Sequence, residues 1–300
     1  MARVLSGIQP TGDIHLGNYL GAVRHWVEDQ HTQDSYFCVV DLHALTIPRD
    51  PAELRAKTLE TTLLLVAAGL DPEVCTLFVQ SHVHEHPELS WLLEAVASMG
   101  ELERMTQFKE KTQKGGRESA RVALFTYPVL QAADILLYEA DQVPVGDDQR
   151  QHVELCRDLA LRFNHRYGET FVVPEATLPK VGARIMDLQR PTAKMSKSAD
   201  SPQGTVLVLD EPAVVERKFK RAVTDTGTDV AFDPDKKPGV SNLLQILGAA
   251  TGRPPAEVAA GYSQYGPLKA DTAEAVVELL RPVRQRYAEL AADPGAVRAT

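Results

Sequence analysis

Cysteine is scarce in this chain, with three among 300 residues, and Cys38, Cys75 and Cys156 stand isolated in apolar segments. An odd count without a C-x-x-C pair argues against a disulfide framework or a cysteine zinc site and for a reducing, cytosolic setting. Long apolar runs are also missing. The stretch Leu63-Leu64-Leu65-Val66-Ala67-Ala68 falls far short of the ~20 residues a bilayer crossing needs, and Met1 to Gly7 lack the apolar core of a secretory signal. Net positive charge is absent as well. Thirty-two Lys and Arg against 41 Asp and Glu leave −9, the wrong sign for nonspecific coating of nucleic acid, so any RNA contact must be local. Neither an internal repeat nor a low-complexity segment is present. What remains, 44% apolar and 24% charged residues, is a globular composition with ample length for a buried core.

Strand and helix signals alternate from the start. Arg3 to Ile8 reads as a short buried strand, followed by the turn Gln9-Pro10-Thr11-Gly12-Asp13 and a helix carrying Leu16, Tyr19, Leu20, Val23 and Val27 at helical spacing. Strands are expected at Tyr36 to Val40 and Thr76 to Gln80, separated by a helix with Asp50 as N-cap, Pro51 in its first turn and Gly69 as its stop. That alternation predicts an α/β fold with a Rossmann-like parallel sheet covered on both faces. Helices are expected from Glu88 to about Lys111, then through Tyr138, and from Asp147 to about Asn164, with a short strand at Val143 to Gly146. A Lys/Ser/Pro/Gly-rich loop from Arg190 to Gly204 marks a boundary, beyond which the chain reads as helices.

Two segments carry chemistry. The first is the helix entry His15-Leu16-Gly17-Asn18. A helix N-terminus offers unpaired N–H groups and a positive dipole end to phosphate, and glycine admits a flat ligand close to the backbone. An ordinary strand–turn–helix joint accounts for the same residues. The second is Lys194-Met195-Ser196-Lys197-Ser198, whose two cations and two hydroxyls suit a triphosphate tail and the charge on its leaving group. A solvated loop is the plain alternative.

Taken together, these segments resemble the two ATP motifs of the class I aminoacyl-tRNA synthetases, H-I-G-H and K-M-S-K-S. The second matches letter for letter, whereas Leu16 and Asn18 depart from the first. Further stretches resemble the bacterial tryptophan branch of that family: Gly7 to Gly12, Gly100 to Lys109, Val143 to Gln149 and Lys180 to Met186. They are spread over nearly the whole chain. The resemblance implies ATP-dependent formation of tryptophanyl-adenylate, release of pyrophosphate and transfer to tRNA(Trp). It makes Asn18, Lys111, Lys194 and Lys197 the catalytic candidates, with Mg²⁺ arriving as part of the nucleotide and no tightly held protein metal. It places Gln9, Pro10, Thr11, Gly17, Gly146, Asp147, Asp148, Ile185, Met195, Ser196 and Ser198 around ATP. No protein nucleophile is required, so positioning and electrostatics carry the reaction.

Tyr127, Gln131 and Asp134 share one helix face at i, i+4 and i+7. Apolar neighbours surround them, so the row enters a pocket or is satisfied inside a core. The resemblance assigns Asp134 to the indole N–H and sets Tyr127 and Gln149 near the substrate amino group, with Leu5, His43, Val143 and Val145 as walls. Tyrosine enzymes of the family use a similar Tyr/Gln/Asp row, but place a tyrosine where this chain has Leu5. A phenol needs a donor and an acceptor, whereas indole only donates. A buried hydroxyl without a partner costs roughly 1–3 kcal/mol, which favours tryptophan.

Other signals are plainer. His82, His84 and His86 have the period of a shared strand face that would suit a metal, yet a solvated loop before the next helix explains them equally. The run Glu216-Arg217-Lys218-Phe219-Lys220-Arg221 reads as an exposed helix face or a contact for tRNA phosphates. The expected organisation is a catalytic domain over residues 1–205, with an insertion over 47–121 contributing to a homodimer interface, and a helical anticodon-binding domain over 206–300. Relatives continue past the point of Thr300, which implies a short C-terminal helical part and leaves activation better supported than tRNA transfer. A silent RNA-binding regulator is the alternative of another class, disfavoured by the intact Gly17, Asn18, Lys194 and Lys197.

Overall fold

A computed structural model describes residues 1–115, 120–177, 184–196, 202–293 and 295, without the side chains of 111–115, 147 and 148. The chain opens with β1 (Arg3–Ile8), α1 (Leu16–Asn18), a π-helical turn (Tyr19–Val23), α2 (Arg24–Asp29) and β2 (Asp34–Val39). Next come α3 (Asp41–Ala44), α4 (Pro51–Ala68), β3 (Thr76–Val79), a 3-10 turn (Gln80–His82), α5 (Glu85–Glu94), α6 (Met99–Arg104) and α7 (Thr106–Gly115). Then follow α8 (Val122–Leu136), β4 (Gln142–Pro144), α9 (Asp147–Tyr167) and β5 (Glu175–Thr177). The remainder is helical: α10 (Pro212–Lys220), α11 (Pro238–Thr251), α12 (Pro255–Ala259) and α13 (Tyr265–Ala292).

The five strands form one parallel sheet in the order β3-β2-β1-β4-β5. Val4, Leu5 and Ser6 of β1 and Phe37, Cys38 and Val39 of β2 are all buried, as expected of central parallel strands covered on both faces. Strand order reverses between β1 and β4. In such sheets ligands enter the crevice outside the carboxyl ends at the reversal, which here lies beyond Ile8 and Pro144.

Local punctuation behaves as the residues dictate. The Asp50 Oδ1 accepts from the N–H groups of Ala52 and Glu53, both at 2.9 Å, and starts α4. Gly69 ends it at φ +118°, where any side chain would be strained. The single helix expected over 88–111 is instead three. Ser98 begins a new helix through a reciprocal box with Glu101, whose N–H it caps while the Glu101 carboxylate receives the Ser98 N–H at 2.9 Å. Strand β5 went unforeseen, because Glu175-Ala176-Thr177 lacks apolar alternation and is placed by pairing with β4.

Backbone contacts cluster into two compact units. The first is Met1–Thr11, Asp29–Thr62 and Asp71–Pro179, and the second is Gly12–Glu28, Leu63–Leu70 and Lys180–Thr300. This division runs along a different line from the expected 1–205 and 206–300, since 12–28 and 63–70 group with the later residues. The first unit holds the whole sheet. In the second, α13 packs on α10 and α11, with Val215, Phe219, Leu244, Val276 and Leu280 fully buried. No helix among the described residues is long and apolar enough to cross a membrane.

Glu101 joins α6 to α9 through Arg162, which also donates to the Val96 carbonyl at 2.7 Å. The Arg162 hydrogen bond is the main reason the Glu101 carboxyl is held down to about 2 from its ordinary 4.5. A depressed carboxyl contributes stability above its unfolded value and loses it as pH falls through the folded one. Glu101→Gln should therefore lower stability at pH 7 by about 1–2 kcal/mol. Its deficit against the parent should shrink between pH 4.5 and about 2, followed by circular dichroism in urea. A deficit constant across that window would refute this role.

Candidate active site

Within the second unit, the segment after the first turn is held by its own side chains. His15 caps α1. Its Nδ1 accepts from the Asn18 N–H at 3.2 Å, and the Asn18 Oδ1 accepts from the His15 N–H at 3.3 Å. That orientation spends the amide oxygen of Asn18 and leaves its Nδ2 group to donate. The Leu16 N–H is given to the Val206 carbonyl at 2.8 Å. The helix start thus has fewer unpaired N–H groups than its position alone suggests. Gly17 sits in a tight place: a Cβ there would lie 3.0 Å from the His15 Nδ1, so the imidazole would have to give by a few tenths of an ångström, and 3.6 Å from the Ile185 Cβ, an ordinary contact. Glycine keeps the capping imidazole in place, besides whatever access it gives a ligand.

The approach to the Lys/Ser loop is equally built. Met186 bridges Lys194, the Met195 N–H reaches the Ile185 carbonyl at 3.0 Å, and the Asp187 N–H reaches the Ala193 carbonyl at 2.9 Å. The turn between is closed by Asp187, whose Oδ1 accepts from the N–H groups of Gln189 at 2.8 Å and Arg190 at 2.9 Å. Asn242 of α11 pairs with both backbone groups of Met186 at 2.9 Å. Ile185 and Met195 are buried while Lys194 is exposed, so the apolar residues anchor the pair and the cation is offered outward. On the far side, the Thr205 hydroxyl donates to the Ser196 carbonyl at 3.0 Å. Lys218 then donates to the Thr205 carbonyl at 2.7 Å and to the Asp210 carboxylate at 2.6 Å. Lys218 and Phe219 are buried, so the basic run of α10 is no uniform exposed face; it presents Glu216, Arg217, Lys220 and Arg221 outward.

Within the first unit, Asp134 of α8 is 3% exposed and receives three hydrogen bonds. Gln80 Nε2 and His86 Nδ1 donate to Oδ1, each at 2.7 Å, and His43 Nε2 donates to Oδ2 at 2.7 Å. Burial alone would push this carboxyl up, but the bonds from His43 and His86 offset that and hold it below the usual range. Gln80 is oriented because its Oε1 accepts from the Leu42 N–H at 3.1 Å. His86 is oriented because its Nε2 meets the Tyr138 hydroxyl at 2.8 Å. The Tyr127 hydroxyl lies 2.7 Å from His152 Nε2 and is pushed up to about 12 by burial. Its ring meets that of His43 edge-on, with centroids 6.2 Å apart.

The structure therefore brings the expected amino-acid residues together in one unit. Leu5 and Val143 belong to one buried cluster, with Tyr127 and Val145 packed against it, and His43 and Asp134 are bonded. Gln149 lies in the first turn of α9. The expected nucleotide residues divide: Gln9, Pro10, Thr11 and Gly146 fall in the first unit, while Gly17, Asn18, Ile185, Lys194, Met195 and Ser196 fall in the second. Lys197, Ser198 and residues 180–183 lie outside the described residues, as do the side chains of Lys111, Asp147 and Asp148. His86 corrects the solvated-loop expectation, being fully buried in α5, whereas His82 and His84 are exposed. Gln80, His86 and Tyr138 went unseen because their partners are 48 to 54 residues away, or in the same network. The usable signal was a buried aspartate in need of donors, with Gln80 directly after a strand end.

Residues 1–281 match the family model of class I tRNA synthetases (W and Y). The chain is 61% identical over 302 aligned positions to tryptophan–tRNA ligase 1 of Streptomyces coelicolor, covering 99% of this chain and 89% of that protein. Among solved structures, the tryptophanyl-tRNA synthetase of Mycoplasma pneumoniae is similar at a TM-score of 0.85 and 38% identity, over 97% of this chain and 88% of that one. The tryptophanyl-tRNA synthetase of Campylobacter jejuni complexed with ADP and tryptophan matches at a TM-score of 0.86 and 34% identity, over 99% and 92%.

Lys218 gives a direct test of how the loop is anchored. Lys218→Met leaves the part-buried Asp210 without its cation, with, among the described residues, only the Leu207 N–H still bonded to it, and the expected loss is about 1–3 kcal/mol in urea unfolding. Adding Asp210→Asn should recover part of it. A loss under about 0.5 kcal/mol, within the range of ordinary surface changes, would show the pair to be dispensable.

Proposed function

The chain belongs to the class I tRNA synthetases of the tryptophan and tyrosine family, on its bacterial tryptophan branch, and we infer from that membership how its residues divide the work. Its activity is ATP-dependent ligation of L-tryptophan to tRNA. The substrate carboxylate attacks the α-phosphorus of ATP, pyrophosphate leaves, and a 3′-terminal ribose hydroxyl of tRNA(Trp) then displaces AMP from the adenylate. Neither step uses a protein nucleophile, so the barrier falls through alignment and charge stabilisation.

The geometric observation that carries the choice of amino acid is the acceptor-only state of Asp134. It receives three N–H groups, and a carboxylate has about four acceptor positions. The remaining one suits the indole N–H. Leu5, His43, Val143 and Val145 serve as the walls, with Tyr127 and Gln149 toward the substrate amino group. For the nucleotide, Lys194 and Lys197 hold the β- and γ-phosphates with the Mg²⁺ that accompanies ATP, and Lys111 is a further phosphate contact. Asn18 donates through Nδ2. Gln9, Pro10, Thr11, Gly17, Gly146, Asp147, Asp148, Ile185, Met195, Ser196 and Ser198 line the rest. The adenylate is made by residues 1–205 and the anticodon is read by residues 206–300. A cytoplasmic setting accords with the free, buried state of Cys38, Cys75 and Cys156.

A homodimer built on the 47–121 region is part of the same proposal. Trp91 is 73% exposed and Met99 66% exposed there, and large apolar side chains left to solvent favour a protein contact. Sedimentation should show a dimer that Trp91→Glu shifts toward monomer. An unshifted distribution would move the interface elsewhere.

Pyrophosphate exchange into ATP tests the central assignment. Exchange should depend on tryptophan and not on tyrosine; dependence on tyrosine alone would overturn it. Lys197→Ala should lower the exchange rate by about 10²–10³ with little change in the tryptophan KM.

A further inference from the structure

We propose that Gln80 and His86, acting with His43, are the positioning residues that make this site select a ring N–H over a ring hydroxyl. The inference rests on the assignment of Asp134 to the substrate ring and extends it to Gln80 and His86, which are assigned no contact with the substrate.

Gln80 and His86 are both 0% exposed, and each has its polarity set from behind. The Leu42 N–H occupies Gln80 Oε1, so the amide must turn Nε2 toward Asp134. His86 Nδ1 faces a carboxylate and therefore carries the proton, which leaves Nε2 as an acceptor for the Tyr138 hydroxyl. Phe78 stacks on the imidazole, with centroids 5.8 Å apart, and Tyr138 packs against both rings. The His86 ring therefore cannot turn without breaking this stack.

Two donors on Oδ1 and one on Oδ2 leave a single acceptor position, on Oδ2. Just as important is what the three donors no longer offer. Each N–H that points at Asp134 is used on Asp134 and is not offered to a ligand oxygen. An indole N–H needs only the vacant acceptor. A phenol can donate to it as well, but its own oxygen then meets spent donors and, at Leu5, an apolar wall, and a buried oxygen without a donor is penalised. The specificity is set by saturating the aspartate rather than by the aspartate alone.

The measurement is amino-acid-dependent pyrophosphate exchange with three amino acids: tryptophan, its benzothiophene isostere (sulfur in place of the indole N–H) and tyrosine. Asp134→Ala should collapse the preference for tryptophan over the isostere; if that ratio is unchanged, the underlying assignment of Asp134 fails. With Asp134 intact, Gln80→Leu and His86→Leu should each reduce the ratio about tenfold through the tryptophan KM, with the ATP KM unaltered. Equal losses for tryptophan and the isostere would show a merely structural role and overturn the inference. Tyr138→Phe keeps the ring packing and removes only the hydroxyl that fixes His86. It should lower the ratio by about two- to fivefold, and it decides the question if either leucine variant fails to fold. His86→Asn, which retains an N–H donor, should restore part of what His86→Leu loses.

Discussion

Burying a carboxylate is costly unless donors answer it, and the first unit is organised around the answer to Asp134. Gln80 arrives from the carboxyl end of β3, His86 from α5 and His43 from α3, and all three reach one side chain of α8 at 2.7 Å. Removing water from this group strengthens every surviving hydrogen bond and penalises every missing one. The same economy fixes the His86 tautomer, the Gln80 amide and the Tyr138 hydroxyl, so a single buried charge helps set the polarity of three neighbouring groups.

The second unit solves a different problem, which is to present cations and a short polar segment without losing their placement. Lys194 is exposed, but Ile185 and Met195 on either side of its backbone bridge are buried. Asn242 substitutes for a strand partner along Met186, and Lys218 with Thr205 secures the Ser196 end. Around His15 the side chain and backbone of Asn18 close a reciprocal cap. In both places a polar group is held by hydrogen bonds from its neighbours, which is how a side chain on a short segment acquires a defined position.

Much of this was legible in residue order. The α/β class, the Asp50 cap and the Gly69 stop follow from local propensity and hold in the structure. The i, i+4, i+7 row pointed to Asp134 because helical periodicity is a local property. The break at Ser98 was written in a capping box that apolar periodicity masks. Strand β5 was hidden because its three residues owe their conformation to β4. The basic run of α10 looked uniform because charge along a sequence does not tell which face of a helix is covered.

By itself, the sequence determined the parallel α/β class, the paired Gly17/Asn18 and Lys194-to-Ser198 motifs and the polar helix row that ends in Asp134, since each rests on residue type at short range. Tertiary structure alone decided the strand order β3-β2-β1-β4-β5, the inward turn of Lys218 and the saturation of Asp134. The reason is distance along the chain. His43 is 91 residues from Asp134, Gln80 is 54 and His86 is 48, and only folding makes them neighbours. The aspartate and its place on the helix face are local information; the set of donors that saturates it is not.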